Sequence, residues 1–325
     1  MFGLEYLCCF ITTMSWILGT YTMIHTLCCL GFWIHKTYIR KPHDLEKRYG
    51  KGSWVVITGP TSGIGEVFAI EFARFNFNIV LLGRNKEKLE KTEQFVKDLN
   101  KNVKVRIVEA DFSTSIESEF YENIYSQIED LDISILVNNA GLVDKDLFER
   151  IPAEKILSMI NTNCGAPAML SHVLINKLRN RKQRTAIINI SSLACVCPLP
   201  YFSVYPSTKA FLTFLSHGLN MLYRKEEVDV LNVVPGYVNS NMTVGISGPT
   251  VCTAKECVKN SLASLGYDFE VAPFYAHVII AQIFHITYRF MRPVWRAMYC
   301  MKFKRMVLQK YYEENEARLL EKKEQ

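Results

Sequence analysis

Residues 54–65 read Trp-Val-Val-Ile-Thr-Gly-Pro-Thr-Ser-Gly-Ile-Gly and join an apolar run to a glycine-rich turn. The run Trp54–Ile57 is rich in β-branched residues, which is typical of a strand buried on both faces. Gly59 lets the chain turn sharply, and Gly63 and Gly65 let the backbone and the following helix approach a pyrophosphate. The amides at the start of that helix would face the phosphate charge. The stretch therefore predicts the phosphate-binding turn of a dinucleotide fold.

Five further apolar runs follow the first, separated by stretches with apolar residues at helical spacing. The six runs are Trp54–Ile57, Ile79–Leu82, Val103–Val108, Ile133–Val137, Ala186–Ile190 and Val228–Val234. Repeated alternation of strand and helix predicts an α/β fold with a Rossmann-type, doubly wound parallel sheet. No repeat or low-complexity linker interrupts this pattern, so residues 49–266 are predicted to form one domain.

The end of the second run bears on the choice of cofactor. Folds of this kind that select NAD usually carry an acidic residue there, against the ribose 2′-hydroxyl. This chain has Gly83 and Arg84 instead. A guanidinium matches a phosphate in charge and in geometry, which favours NADP(H). The alternative is an exposed arginine with no such role.

Ser192, Tyr205 and Lys209 complete a set of motifs. Tyr205 and Lys209 are four residues apart, on one face of a predicted helix, and Ser192 follows the fifth run. With the turn Thr58–Gly65, the segment Asn138–Gly141 and the pair Pro235-Gly236, they resemble the short-chain dehydrogenase/reductase family. The closest pattern is its membrane-bound branch, which includes the very-long-chain 3-oxoacyl-CoA reductases and the 17-beta-hydroxysteroid dehydrogenases.

The resemblance implies a role for each of these side chains. Tyr205 would exchange a proton with the substrate, and the cation of Lys209 would lower the tyrosine pKa and hold the nicotinamide ribose. Ser192 would bind the substrate oxygen, Asn163 would hold a water in the proton relay, and Asp111 would lie beside the adenine. The implied cofactor set is Gly59, Ser62, Gly63, Ile64, Gly65, Arg84, Asp111, Asn138, Tyr205, Lys209 and Val238.

The amino-terminal segment predicts a membrane anchor. Residues from Leu7 to Trp33 include no Asp, Glu, Lys or Arg, and about 20 such residues span a bilayer as a helix. The basic residues that follow place the rest of the chain in the cytosol by the positive-inside rule. Residues 1–48 are thus predicted to be an anchor with a basic flank. A buried core helix is the alternative, and a cleaved signal peptide fits poorly because no basic region precedes the apolar stretch.

Residues 267–325 are predicted to form a hydrophobic, membrane-proximal segment and a charged tail. Prolines and charged residues interrupt the stretch Phe269–Met301, which favours a segment at the membrane interface over a second span or plain core. The last four residues, Lys-Lys-Glu-Gln, resemble the dilysine retrieval signal of the endoplasmic reticulum. The expected location is the membrane of that organelle, with the catalytic domain facing the cytosol.

Composition and charge narrow the remaining functions. The net charge of +6 comes without a basic run interleaved with aromatics, so no nucleic-acid partner is expected. The ten cysteines lack zinc-ligand spacing, and no metal is expected.

The favoured function is NADPH-dependent reduction of a long-chain 3-oxoacyl-CoA in fatty-acid elongation. Steroids and retinoids remain alternative substrates. An inactive NADP-binding membrane scaffold is an alternative of another class of function. The oligomeric state stays open, and a homo-oligomer is one possibility.

Overall fold

The computed structural model divides into two units, Met1–Pro42 and His43–Gln325. It describes residues 39–199, 201–243 and 247–290, with scattered positions from 10 to 31 and at 293, 297 and 301. The described positions between 10 and 31 are helical. Within these described parts of the chain, no helix has the length and hydropathy needed to cross a membrane. Much of the predicted anchor, most of residues 291–301 of the predicted interfacial segment and the whole dilysine tail lie outside the described residues.

A parallel sheet organises the second unit. Its strands are β1 (Trp54–Thr58), β2 (Asn78–Gly83), β3 (Val105–Glu109), β4 (Ile133–Asn138), β5 (Thr185–Ile190), β6 (Val228–Val233) and β9 (Glu270–Val271). Their spatial order is β3-β2-β1-β4-β5-β6-β9, with all neighbours parallel. The order of the first six strands is that of two Rossmann halves. The predicted α/β class and doubly wound parallel sheet are therefore confirmed.

Helices cover both faces of this sheet. They are α1 (Leu45–Tyr49), α2 (Gly63–Arg74), α3 (Lys86–Leu99), α4 (Ser118–Ser126), α5 (Ala153–Ile160), α6 (Ala166–Arg179), α7 (Val204–Tyr223), α8 (Ala254–Ser264) and α9 (Tyr275–Phe290). Consecutive strand residues face opposite sides. Val55 and Ile57 accordingly belong to one apolar core, whereas Val56 belongs to the other.

Two short strands lie outside the main sheet, close to its carboxyl edge. Strand β7 (Val238–Asn239) pairs in parallel with β8 (Cys252–Thr253). Val238 and Cys252 pack with Cys257 of α8 in a small apolar cluster. The segment between β7 and β8 leaves the main sheet just after β6, where ligands of this fold class bind.

The chain beyond Gly266 contributes to the same unit. Strand β9 extends the sheet beyond β6, and Ala276 and His277 at the start of α9 are buried. Tyr275, Ile279 and Ile283 of α9 are exposed. Helix α1 lies within the second unit as well, because Tyr49 donates a hydrogen bond of 2.8 Å to Asp229 in β6. The domain limits at residues 48 and 266 stay predictions.

Candidate active site

A cleft of about 660 Å³ lies along the carboxyl ends of the strands. The predicted site residues that line it are Gly59, Ser62, Gly63, Ile64, Arg84, Asp111, Ser192, Tyr205, Lys209 and Val238. Three others, Gly65, Asn138 and Asn163, stand behind this lining. The fold thus brings side chains that lie up to about 180 residues apart in the sequence to one surface.

The glycine turn has the backbone geometry that its sequence predicts. Gly59 and Gly63 have φ angles of +62° and +60°, in the region where residues with a Cβ are disfavoured. A Cβ on Gly65 would lie 2.3 Å from the carbonyl oxygen of Gly59, so only glycine allows this packing of turn against helix. Helix α2 begins at Gly63 and directs its first amides towards the cleft side of the turn.

Asn139 holds this turn in place, a role that the sequence analysis did not assign. Its Nδ2 donates hydrogen bonds of 3.0 Å to the carbonyl oxygens of Thr58 and Gly59. Its backbone amide and that of Ala140 both donate to Thr58 Oγ1 at 2.9 Å. These four bonds join the end of β4 to the turn after β1.

Asn138 is not among the residues that line the cleft, and its predicted contact with the cofactor stays a prediction. It is the last residue of β4, and its Nδ2 donates to Asn189 Oδ1 of β5 at 2.8 Å. A second, longer bond of 3.4 Å reaches Ser171 of α6. Because neighbouring strand residues point in opposite directions, Asn138 faces the interior while Asn139 faces the turn.

Arg84 and Asp111 form a charged end of the cleft. Arg84 is exposed just after β2, and Lys88, in the first turn of α3, lines the cleft beside it. Burial opposes ionisation of Asp111, but hydrogen bonds from Ser113 and the charge of Arg84 lower its pKa overall. The Ser113 amide and hydroxyl both donate to Asp111 Oδ1, at 2.9 and 2.7 Å. Lys88 was missed, although its position one turn into the helix after Arg84 could have indicated it.

Tyr205 and Lys209 lie on the first two turns of α7 and face the cleft. The Lys209 ammonium lies 5.8 Å from the centroid of the Tyr205 ring and donates to the carbonyl oxygen of Ile190 at 2.8 Å. Burial lowers the pKa of Lys209 to about 8. Burial also raises the pKa of Tyr205, and a hydrogen bond with Ser192 opposes that rise. Burial is the largest cause of the shift, and the lowering of the tyrosine pKa by Lys209 stays a prediction.

Ser192 lines the cleft with this pair, and Asn163 lies behind the lining. Ser192 follows β5, and its Oγ accepts a hydrogen bond of 3.2 Å from the amide of Ala194. Asn163 is buried in a π-helical turn, where it accepts from the Leu142 amide and donates to the Leu142 carbonyl, both at 2.8 Å. It also donates to Thr208 of α7 at 3.0 Å. Asn163 therefore joins Leu142 of the cleft wall to Thr208 of α7.

The arrangement fits a dinucleotide. Gly59 and Gly63 have no Cβ to fill the space at the two ends of the turn, and the amino terminus of α2 suits an anionic phosphate. Cations stand at one end of the cleft, and a hydroxyl, a phenol and an ammonium stand at the other. Among the described residues, no cluster of His, Cys, Asp and Glu could hold a metal ion.

Comparison with known proteins agrees with this geometry. The sequence pattern of the short chain dehydrogenase family matches residues 53–248. The chain belongs to the short-chain dehydrogenase family. Family members are oxidoreductases that act on alcohols or ketones with a nicotinamide cofactor, and the predicted enzyme class is confirmed at that level.

The similar curated proteins include members of the predicted branch. The chain is 33% identical to human 17-beta-hydroxysteroid dehydrogenase type 3, over 80% of this chain and 81% of that protein. It is 32% identical to very-long-chain 3-oxoacyl-CoA reductase-B of Danio rerio, over 74% and 77%. It is also 33% identical to inactive hydroxysteroid dehydrogenase-like protein 1 of Pongo abelii, over 73% and 72%.

Solved structures show the same fold. A 7beta-hydroxysteroid dehydrogenase, solved in a study of its stereoselectivity, superposes with a TM-score of 0.66 at 25% identity, covering 76% of this chain and 95% of that one. A short-chain dehydrogenase of Sphingobium yanoikuyae in complex with NADPH gives a TM-score of 0.60 at 31% identity, covering 65% and 84%. The family placement predicted from the motifs is confirmed.

Proposed function

We propose that this chain reduces the keto group of a hydrophobic substrate, a long-chain 3-oxoacyl-CoA, with NADPH. The observation that carries the proposal is the meeting of Ser192, Tyr205 and Lys209 on one wall of the cleft. NADPH, when bound, supplies the hydride. The chain's own residues must then bind the carbonyl oxygen and deliver a proton to it.

The pKa directions in the site suit reduction. Because burial raises the pKa of Tyr205, the phenol stays protonated near neutral pH and can serve as the proton donor. Ser192, whose hydroxyl interacts with that phenol, is placed to donate a hydrogen bond to the same carbonyl oxygen. Lys209 stands one helical turn from the phenol, where its charge would stabilise the phenolate after the transfer.

Selection of NADPH over NADH rests on Arg84 and Lys88. Both line the cleft beyond the end of β2, where an acidic residue would instead favour the 2′-hydroxyl of NAD. A 2′-phosphate there would meet two cations. Asp111, kept ionised by Ser113 and Arg84, would lie on the adenine side of the same end.

The proposed substrate rests on the branch of the family that the chain resembles and on the residues at the opening of the cleft. Met242 lines the cleft and is exposed, and Val143, also exposed, lines it across the opening. An apolar rim suits an acyl chain, and the Danio rerio relative is named for such a substrate. A steroid ketone is the second candidate, because the human relative named for a steroid activity aligns over a larger share of the chain.

A direct assay separates these two candidates. Membranes carrying the chain would be given NADPH with a long-chain 3-oxoacyl-CoA or with a 17-keto steroid, and the hydroxy product quantified. In parallel, cells lacking the ketoreductase of fatty-acid elongation would be complemented with the chain. Restored very-long-chain fatty acids support the acyl-CoA reading. Well-expressed protein that reduces the steroid but leaves elongation blocked replaces it with the steroid reading.

The proposal includes a membrane location. The charge-free stretch Leu7–Trp33 would anchor the chain in the endoplasmic reticulum, and the exposed apolar side chains of α9 would lie at the bilayer surface. Protease added to intact microsomes should then digest an epitope tag in the catalytic domain and one at the carboxyl terminus. Protection of the carboxyl-terminal tag alone would reveal a second span beyond residue 269.

An inactive, cofactor-binding scaffold is the rival of another class, since one relative carries that description in its name. In this chain the serine, the tyrosine and the lysine all line the cleft, which favours catalysis. NADPH binding without turnover of any ketone in a broad panel would favour the scaffold.

A further inference from the structure

Residues 237–243 and 247–253 form one wall of the cleft, and they carry β7 and β8 respectively. Val238, Ser240, Met242 and Thr243 of this wall line the cleft. The Cys252 amide donates to the Tyr237 carbonyl at 3.1 Å, which closes the base of the segment. A shift of this wall would therefore change the shape of the cleft.

His277 of α9 lies directly behind the start of this wall. Its side chain is fully buried. A Cβ added to Gly236 would lie 2.6 Å from His277 Cδ2 and 2.9 Å from Nε2, closer than side chains tolerate. Gly236, which itself lines the cleft, is thus required by the imidazole behind it.

The same imidazole holds the far end of the wall. His277 Nε2 lies 3.2 Å from the carbonyl oxygen of Thr250, and because a carbonyl only accepts, Nε2 carries the proton in this bond. Nδ1 is buried and has no hydrogen-bond partner among the described residues. Burial lowers the pKa of His277, and hydrogen bonds with the carbonyls of Thr250 and Tyr237 oppose this lowering without cancelling it. The imidazole ring is therefore neutral at physiological pH, and it fills the space behind Gly236 as a wedge.

The backbone at Gly236, which His277 contacts, is connected by a hydrogen bond to the loop that carries Ser192. Pro235, next to Gly236, accepts a hydrogen bond of 2.9 Å from the Leu193 amide. Leu193 follows Ser192 and is buried. A shift of the Pro235-Gly236 backbone would therefore move the loop that positions Ser192 against Tyr205.

We propose that His277 is a positioning residue, a neutral imidazole wedge that fixes Gly236 and Thr250 and thereby holds the cleft wall against the catalytic end of the site. The expected effect on catalysis rests on the proposed function, whereas the expected effect on the position of the wall does not. His277 touches neither the Ser192 hydroxyl nor the Tyr205 phenol, so it acts only through the wall that it supports.

A double-mutant cycle tests the contact. Gly236→Ala should lower kcat/KM at least about 10-fold, because misplacing a wall by a fraction of an ångström is enough to impair a reacting geometry. His277→Ala in that background should restore much of the loss, since it removes the atoms that the new methyl meets. Gly218→Ala is the matched control, because a Cβ at this exposed helical position meets nothing within 4 Å. Losses that simply add in the double variant would overturn the proposal.

A second pair of variants separates positioning from folding. His277→Gln keeps an N–H donor for Thr250 and should retain more activity than His277→Ala. In His277→Ala, kcat should fall with a smaller change in the KM for NADPH, because the wall moves at the catalytic end rather than at the Arg84 end. Equal kcat in both variants and wild type, with the unfolding temperature unchanged, would show that the wedge has no positioning role.

A protease readout keeps this test independent of substrate and cofactor. Tyr237 is half exposed, and chymotrypsin cleaves after tyrosine. Cleavage after Tyr237, followed by mass spectrometry, should be at least about 5-fold faster in His277→Ala than in wild type or Gly218→Ala, since loosened segments are cut more readily. Unchanged cleavage would overturn the proposal. Absence of acyl-CoA turnover in wild type would overturn only the proposed function.

Discussion

Lys209 of α7 donates a hydrogen bond of 2.8 Å to the carbonyl oxygen of Ile190, the last residue of β5. Ser192 follows two residues later, so this hydrogen bond ties α7 to the loop that carries the serine. Ser191, between them, donates to the Lys209 carbonyl at 3.0 Å and reinforces the same junction. The proposed proton donor, Tyr205, and the proposed carbonyl-binding hydroxyl, that of Ser192, are therefore held in place by the same contacts between the end of β5 and α7.

Replacement of Tyr205 by phenylalanine tests the proposed proton donor. The variant should fold and bind NADPH as wild type does, because it loses only a hydroxyl at the cleft wall. Turnover should fall at least ~10²-fold, the usual contribution of a general acid. Coenzyme fluorescence would measure NADPH binding, and product formation would measure turnover. Tyr223→Phe, at the other end of α7, is the control, and wild-type turnover in Tyr205→Phe would remove the tyrosine from the mechanism.

Replacement of Arg84 by aspartate tests the choice of coenzyme. The change puts a negative charge where the 2′-phosphate is proposed to lie, so the KM for NADPH should rise at least ~10-fold more than the KM for NADH. Arg224→Asp makes the same charge change after α7, outside the cleft lining, and should affect both coenzymes alike. Equal losses for the two coenzymes in Arg84→Asp would show that this side chain does not recognise the phosphate.

Side-chain direction at strand ends limits how far a motif identifies the site. The motif Asn138–Gly141 indicated a polar contribution to the cofactor site, and the structure gives the turn-holding role to Asn139 and not to Asn138. Which of two adjacent asparagines faces a turn depends on where β4 ends, and a one-residue change of that end exchanges their directions. The buried strands and the glycine turn were predictable because their patterns are local.

Elements that depend on tertiary contacts were not predictable. Strand β9 has two residues, too few for a recognisable pattern, and it forms because β6 offers an open edge. The role of His277 was not predicted from the sequence. Its contact with Gly236 joins residues 41 positions apart, and nothing in either local sequence indicates it. The raised pKa of Tyr205 likewise depends on burial that appears only after folding.

Replacement of Asn139 by alanine tests the joint between β4 and the glycine turn. The variant leaves the carbonyl oxygens of Thr58 and Gly59 without their 3.0 Å donors. Loss of such part-buried partners should lower the free energy of unfolding by about 1–3 kcal/mol. NADPH affinity should fall as well, since the turn would hold the phosphates less firmly. Urea unfolding with Asn123→Ala, at an exposed helical position, as the control would measure the first effect. Matching curves for both variants would contradict the assignment.

The buried ammonium of Lys209 makes stability depend on pH in a specific window. Its pKa falls from the usual 10.5 to about 8 in the folded protein, because burial disfavours the charged form. Between these two values the unfolded chain binds more protons than the folded one at this site, so the stability contribution rises as pH rises from about 8 to about 10.5. Below about pH 8 both states are protonated, and the folded protein bears the whole penalty of the buried charge.

Lys209→Met removes this titration and keeps much of the side-chain volume. Wild type should therefore gain stability relative to Lys209→Met as pH rises from 8 to 10, by an amount on the order of a few kcal/mol. Urea midpoints measured at several pH values across that range would give the difference, and titrating groups that do not interact with Lys209 cancel in the comparison. Lys225→Met, at an exposed position after α7, should give a curve parallel to wild type. Parallel curves for Lys209→Met would show that the ammonium is solvated in the folded state.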